Sequence, residues 1–175
     1  MIQLERVSLE HYGGERTSVM LHSLAGIHMP LRFEDLVQEL RPLARKVRAQ
    51  QGDIVVGLDG PGMVPALALA HILHLPVMFA TKMDLARSPK YEFAEPLSPR
   101  PRVFLYGIRP RMSVILVDDG ITTGKTLASC IETLRAARVS IRAVIVLVES
   151  GAHDARERIR ELGVSLLSLV RHDDA

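Results

Sequence analysis

The chain has one cysteine, Cys130, and a lone thiol excludes any internal disulfide. Its place in the helical pattern that follows residue 126 is that of a packed thiol rather than a reactive one. An N-terminal apolar core of signal-peptide length is also missing: MIQLERVSLE has an acidic residue by position 5, so a cytoplasmic protein is expected. No apolar run is long and unbroken enough to span a membrane. The longest, residues 63–80, contains Pro65, His71, His74 and Pro76, and divides better into a helix and a strand. An excess of one charge sign is absent too, with a net charge of only +2, which gives no support for a nucleic-acid binder and its concentrated basic face. Repeats and low-complexity tails are lacking. What remains is a chain of 175 residues, 47% hydrophobic, suited to a single domain with a substantial core.

Within that domain, strand-like and helix-like patterns alternate. Phe33, Leu36, Val37, Leu40, Leu43 and Val47 recur at helical spacing with charged residues between them, so residues 33–50 should form an amphipathic helix, bent at Pro42. Strands are expected at 53–58, 76–80, 102–106, 113–117, 142–148 and 164–170, and helices at 61–74, 127–137 and 154–162. Strands separated by helices give an α/β fold with a mostly parallel central sheet, helices on both faces and ligands at the carboxyl ends of the strands. Residues 1–30, with strand-like VSLE and TSVMLHSL flanking Gly13-Gly14, should form a small N-terminal lobe on a core of residues 31–175.

The most informative segment is residues 114–126, VILVDDGITTGKT. A short β-branched apolar run leads to two adjacent carboxylates and then to a Gly/Thr-rich turn that opens a helix. A nucleoside triphosphate P-loop would need glycine five residues before Gly124, where Asp119 stands. A phosphoacceptor signalling domain would leave only residues 120–175 for the rest of its fold, too little for a domain of roughly 100 residues or more. An ordinary strand-turn-helix with capping aspartates needs one acidic residue, not the whole arrangement. The remaining reading has Asp118 and Asp119 holding two ribose hydroxyls of a sugar phosphate, with Thr122 to Thr126 wrapping its phosphate.

This segment resembles the 5-phosphoribosyl-1-pyrophosphate (PRPP) motif of type I phosphoribosyltransferases. Residues 148–170, VESGAHDARERIRELGVSLLSLV, are similar to the last βαβ unit of the orotate and adenine enzymes, and the layout of residues 30–170 looks most like the adenine branch. The resemblance implies a Mg²⁺-dependent pentosyltransferase of purine salvage that moves the phosphoribosyl group of PRPP to a nucleobase-like acceptor, adenine-like in preference, and acts as a homodimer. PRPP would be bound by Asp118, Asp119, Gly120, Ile121, Thr122, Thr123, Gly124, Lys125 and Thr126. Asp59, Gly60, Pro61 and Gly62 would form the pyrophosphate loop, and Lys82, Asp119 and Glu92 would be catalytic. No side chain would ligate the metal directly, since Mg²⁺ would arrive on PRPP oxygens.

The chain departs from the family pattern in three places. The adenine and orotate branches usually carry arginine before the last glycine of the pyrophosphate loop, where Pro61 stands. The 6-oxopurine branch has aspartate at the position of Thr122, which argues against hypoxanthine and guanine. Residues 82–102 contain neither the histidine nor the glycine of the orotate loop. Residues 83–101, rich in proline and charge, are expected to be a lid or a disordered loop. His71 and His74, one helical turn apart, have no third partner in view for a metal. Two functions stay open: an enzyme, with orotate or another acceptor as the alternative to an adenine-like base, or a PRPP-binding regulator that is catalytically weak or has lost turnover.

Overall fold

The structure, a computed structural model, describes residues 2–10, 16–27, 29–48, 52–96 and 98–172. Its centre is a five-stranded parallel sheet built from β3 (Ile54–Gly57), β4 (Val77–Phe79), β7 (Ser113–Ile121), β8 (Ser140–Ser150) and β9 (Leu166–His172), in the order β4-β3-β7-β8-β9. Helices α1 (Phe33–Arg48) and α2 (Met63–Leu73) cover one face, and α3 (Lys125–Ala136) and α4 (Ala155–Glu161) the other. Alternation along the strands divides the core between the faces: Val114 and Leu116 of β7 pack with α3, while Ile115 and Val117 pack with α1 and α2. Cys130 is fully buried beneath α3, and burial pushes its thiol far above the usual range, as expected of a packed thiol.

Helix α1 buries Leu36, Val37, Leu40, Leu43, Ala44 and Val47 and runs on through Pro42. Phe33, counted on the same stripe, is instead 38% exposed at the first helical position, its ring edge-on to His71 at 6.2 Å. The N-terminal lobe is an antiparallel pair, β1 (Leu4–Glu10) and β2 (Arg16–His22), and Gly13-Gly14 lie outside the described residues.

The main difference from expectation lies in residues 83–101. Part of this segment is a strand, β5 (Lys90–Ala94), which pairs antiparallel with β6 (Arg102–Tyr106), so β6 belongs to a separate hairpin and not to the central sheet. Phe93 turns inward to 3% exposure and anchors the hairpin in the core with Val103 and Leu105. Ala94 N–H donates to Ser129 Oγ on α3 at 2.9 Å, and an isolated bridge joins Thr81 to Phe104.

Below the rim, Glu149 is 1% exposed and accepts from Arg156 Nε at 2.8 Å and from Ser168 Oγ at 2.7 Å, while Arg156 Nη1 also donates to Leu166 O at 3.1 Å. Burial alone would raise the Glu149 carboxyl, but the hydrogen bonds from Arg156 and Ser168 outweigh it and hold the group below its ordinary value. Arg156→Ala strands this charge and should cost about 3 kcal/mol, lowering Tm by roughly 6–12 °C for a chain of this size. Because a depressed carboxylate stabilises above its unfolded pKa and loses that contribution as pH falls, the Tm gap measured by thermal denaturation should narrow in acid.

Candidate active site

Strand β3 stops at Gly57, and Leu58 N–H makes a last bond to Val117 O at 2.9 Å. Strand β7 continues to Ile121, paired only with β8 through Asp118↔Val146, Gly120↔Val148 and Ile121↔Glu149. Beyond Val117 the β3-side edge of β7 is therefore open, at the point where the chain leaves β3 for β4 on one side while β7 lies on the other. Crevices at such switch points are the usual ligand sites of parallel sheets. A cavity of about 490 Å³ opens here, with Asp59 and Pro61 on one wall and residues 118–126 on the other.

The two aspartates are half-buried neighbours with unequal acidity. Burial, reinforced by the adjacent charge of Asp119, raises Asp118 well above the usual carboxylate range. Burial also works against Asp119, but the His22 imidazole and the hydrogen bonding to Asp118 outweigh it, and Asp119 titrates below its ordinary value. The pair is therefore unequal: Asp118 gives up its proton less readily than an ordinary carboxyl, and Asp119 more readily. Asp118 Oδ1 also accepts from Asp119 N–H at 2.9 Å. Gly62 lies directly beneath: a Cβ there would sit 2.6 Å from Asp118 Oδ1 and 3.1 Å from Asp118 Cα. The short loop of Asp59, Gly60, Pro61 and Gly62 thus packs backbone against the acidic pair.

The turn after β7 ends at Gly124, whose φ of 71° is left-handed and whose Cβ, if present, would meet Ala155 Cα at 3.3 Å. Helix α3 starts there with no side-chain cap from Gly124, so neither aspartate serves as a capping residue; Lys125 N–H makes only a long bond to Thr123 Oγ1 at 3.5 Å, which an anion can replace. Thr122, Thr123, Lys125 and Thr126 line the same wall, and Arg158 Nε holds the turn by donating to Thr123 O at 3.0 Å.

Lys82 and Glu92 stand differently from the motif. The ammonium of Lys82 is bonded to Glu95 and donates to Ser98 Oγ at 2.9 Å and Arg100 O at 2.8 Å, so all three of its protons are used within the protein. Glu92 is not brought to the cavity. It faces solvent on the outer side of β5, opposite to Phe93, and takes a bidentate bond from Arg102 at 2.7 and 2.8 Å. Glu95, two residues after Phe93 and on the same inward side, lines the cavity with Ser98 and, from the β8–α4 loop, His153. Sequence reasoning missed these residues, and the inward alternation Phe93–Glu95 was the pattern that could have found Glu95.

Four carboxylates, Asp59, Glu95, Asp118 and Asp119, face the cavity, against Lys125. Oxygen donors of this kind suit a hard divalent cation, while no cluster of three or more candidate ligands occurs among the described residues. The donor set fits a cation whose shell is completed by a ligand's own oxygens. Among the described residues no helix is long and apolar enough to cross a membrane.

Residues 31–173 match the family model described as the phosphoribosyl transferase domain. A xanthine phosphoribosyltransferase of Streptococcus pneumoniae (strain P1031) is 25% identical over 146 residues, covering 79% of this chain and 76% of that protein. The fold matches adenine phosphoribosyltransferase from Rhodothermus marinus at a TM-score of 0.71 with 17% identity, over 95% of this chain and 94% of the other. It matches the Giardia lamblia enzyme complexed with 9-deazaadenine at 0.71 with 21% identity, over 97% and 94%. The open switch-point crevice, the acidic pair and the uncapped helix thus occur in a chain that belongs to the phosphoribosyl transferase domain family and has the type I fold.

Proposed function

We propose that this protein transfers the 5-phosphoribosyl group of PRPP to a nucleobase, adenine-like in preference, and releases pyrophosphate, a reaction of purine salvage carried out by a homodimer. The observation that carries the proposal is the delivery of the acidic pair and the uncapped α3 N-terminus to one cavity by consecutive residues of a single strand and turn. The ribose hydroxyls bond to Asp118 and Asp119, the first the more reluctant to ionise and the second the readier. Donors of residues 122–126 take the terminal phosphate. Pyrophosphate lies toward the loop of residues 59–62, and its bond to C1 breaks as a ring nitrogen of the acceptor attacks the opposite face through an oxocarbenium-like transition state.

A cavity walled by acidic side chains disfavours a bare polyanion, so PRPP would enter with Mg²⁺ carried on its own oxygens. When bound, the cation neutralises charge that builds on the leaving pyrophosphate. The adenine-like choice is supported by the fold shared with adenine enzymes and by the hydroxyl of Thr122, where the 6-oxopurine branch has a carboxylate. A second reading, a PRPP-binding regulator without turnover, is favoured by Pro61, which brings neither a cation nor a backbone N–H to the pyrophosphate loop.

Calorimetric titration with PRPP and Mg²⁺, followed by adenine, xanthine, hypoxanthine, guanine, orotate and uracil with pyrophosphate release monitored, separates the two. Release with adenine alone or above all others is the expected result. Binding without release on any base supports the regulator, and no binding sinks both. Gly62→Ala gives a structural check on the same site: the added methyl drives into Asp118 with backbone on the far side, at a cost of about 2 kcal/mol. PRPP binding should be lost in the calorimeter, with a modest fall in Tm.

A further inference from the structure

His22 closes β2 in the N-terminal lobe and is 1% exposed, yet neither of its ring nitrogens has a hydrogen-bond partner. A buried imidazole with both nitrogens idle is a net cost to the fold, and native proteins keep such groups where a ligand or a second arrangement satisfies them. Close by is the candidate ribose-binding carboxylate: His22 Nε2 lies 3.8 Å from Asp119 Oδ2. That is beyond a hydrogen bond, though a shift of about 1 Å would make one. The imidazole is not on a loose tail. His22 pairs with Leu4 across the lobe, and the next residue is tied twice to Gln3, through Ser23 N–H to Gln3 O at 3.0 Å and Gln3 N–H to Ser23 Oγ at 3.1 Å.

We infer that His22 is a positioning residue for PRPP: as the ribose engages the acidic pair, the Nε2–H of His22 closes onto Asp119 Oδ2, fixes the carboxylate's rotation and leaves Oδ1 to the ribose. The inference rests on the proposed function, because it takes Asp119 as the ribose ligand. A hydrogen bond to one oxygen of a carboxylate selects which oxygen remains free, and a buried donor does this without competition from water. The same contact joins the N-terminal lobe to the motif strand, so binding of the sugar phosphate also ties the lobe to β7.

His22→Ala and His22→Gln test this, glutamine because its amide nitrogen reaches where Nε2 does. With Mg²⁺ present, calorimetry should show PRPP affinity about tenfold weaker in His22→Ala and within threefold of the parent in His22→Gln. Tm should change little in His22→Ala, since the cavity it leaves is offset by removal of an unpaired buried group. Parent-like PRPP affinity in His22→Ala overturns the inference, and so does equal loss in both variants with a lower Tm, which is the behaviour of a packing residue. A parent protein that does not bind PRPP overturns the proposed function first and this inference with it. A second arm uses ¹⁵N-histidine NMR with and without PRPP and Mg²⁺: on ligand addition the His22 resonances should settle on one tautomer with the proton on Nε2, and resonances that do not move when PRPP binds refute the closure.

Discussion

Asp119→Asn should reduce kcat/KM for PRPP by about 10²–10³-fold, whereas Asp118→Asn should leave a measurable enzyme. Both substitutions are nearly isosteric, so the contrast arises from charge. Asp118 keeps its proton above the usual carboxylate range because burial and its neighbour's charge oppose ionisation, and an amide reproduces much of the protonated acid. Asp119 is the more acidic member, held so by His22 and Asp118 against the penalty of burial, and on the proposed function its amide loses the charge that accepts hydrogen bonds from the ribose hydroxyls and offsets positive charge at C1. Stability should move the other way. With a folded pKa above the unfolded one, Asp118 binds more protons folded than unfolded, and the protein loses stability as pH rises from about 3.8 through the raised value. Asp118→Asn cannot titrate, so thermal denaturation should give it a higher Tm than the parent at neutral pH and a similar one in acid. Steady-state kinetics with PRPP as the varied substrate checks the first claim, and Tm against pH the second.

The unequal pair also shows what could be read from the chain alone. The order strand, acidic pair, turn and helix was legible in VILVDDGITTGKT because each part has its own pattern: a β-branched run, adjacent charges, glycine and threonine, then helical spacing. That β7 continues through Asp118 to Ile121 was not, since polar residues in a strand are allowed only by the open edge beyond β3, a property of the sheet. The hairpin was hidden in the same way. Lys90 to Ala94 is short and charged, and only its pairing with β6 and its anchor Phe93 make it a strand. Once the strand is placed, alternation moves Glu92 to solvent and brings Glu95 inward, a change that helical or loop readings could not produce. His22 had no local signature, because its meaning lies in a contact with a residue 97 positions away in the sequence. Motifs written in consecutive residues could be recognised; sites assembled across elements could not.

Removing the ammonium of Lys82 should reduce kcat by about 10² if it meets the pyrophosphate as the family resemblance implies, and its surroundings add a condition. Each of its three protons is already bonded, to Glu95, Ser98 and Arg100, and its side chain is only 12% exposed. Burial, aided by the charge of Arg100 and opposed by that of Asp59, lowers its pKa, so the free ammonium is less stable here than in water. Pyrophosphate must therefore displace Glu95 to reach it. This exchange predicts opposite effects for two variants. Lys82→Met should lose turnover and also release the segment of residues 95–100, seen as faster cleavage there by a protease. Glu95→Gln weakens the ion pair that occupies the lysine and should lower KM for PRPP severalfold. If Lys82 only ties the hairpin end to the core, Lys82→Met will show the faster cleavage with kcat intact, and Glu95→Gln will leave KM where it was. The two variants together decide whether the lysine belongs to the reaction or to the fold, because a tie and a ligand contact respond alike to removal of the lysine's order but oppositely to removal of its competitor.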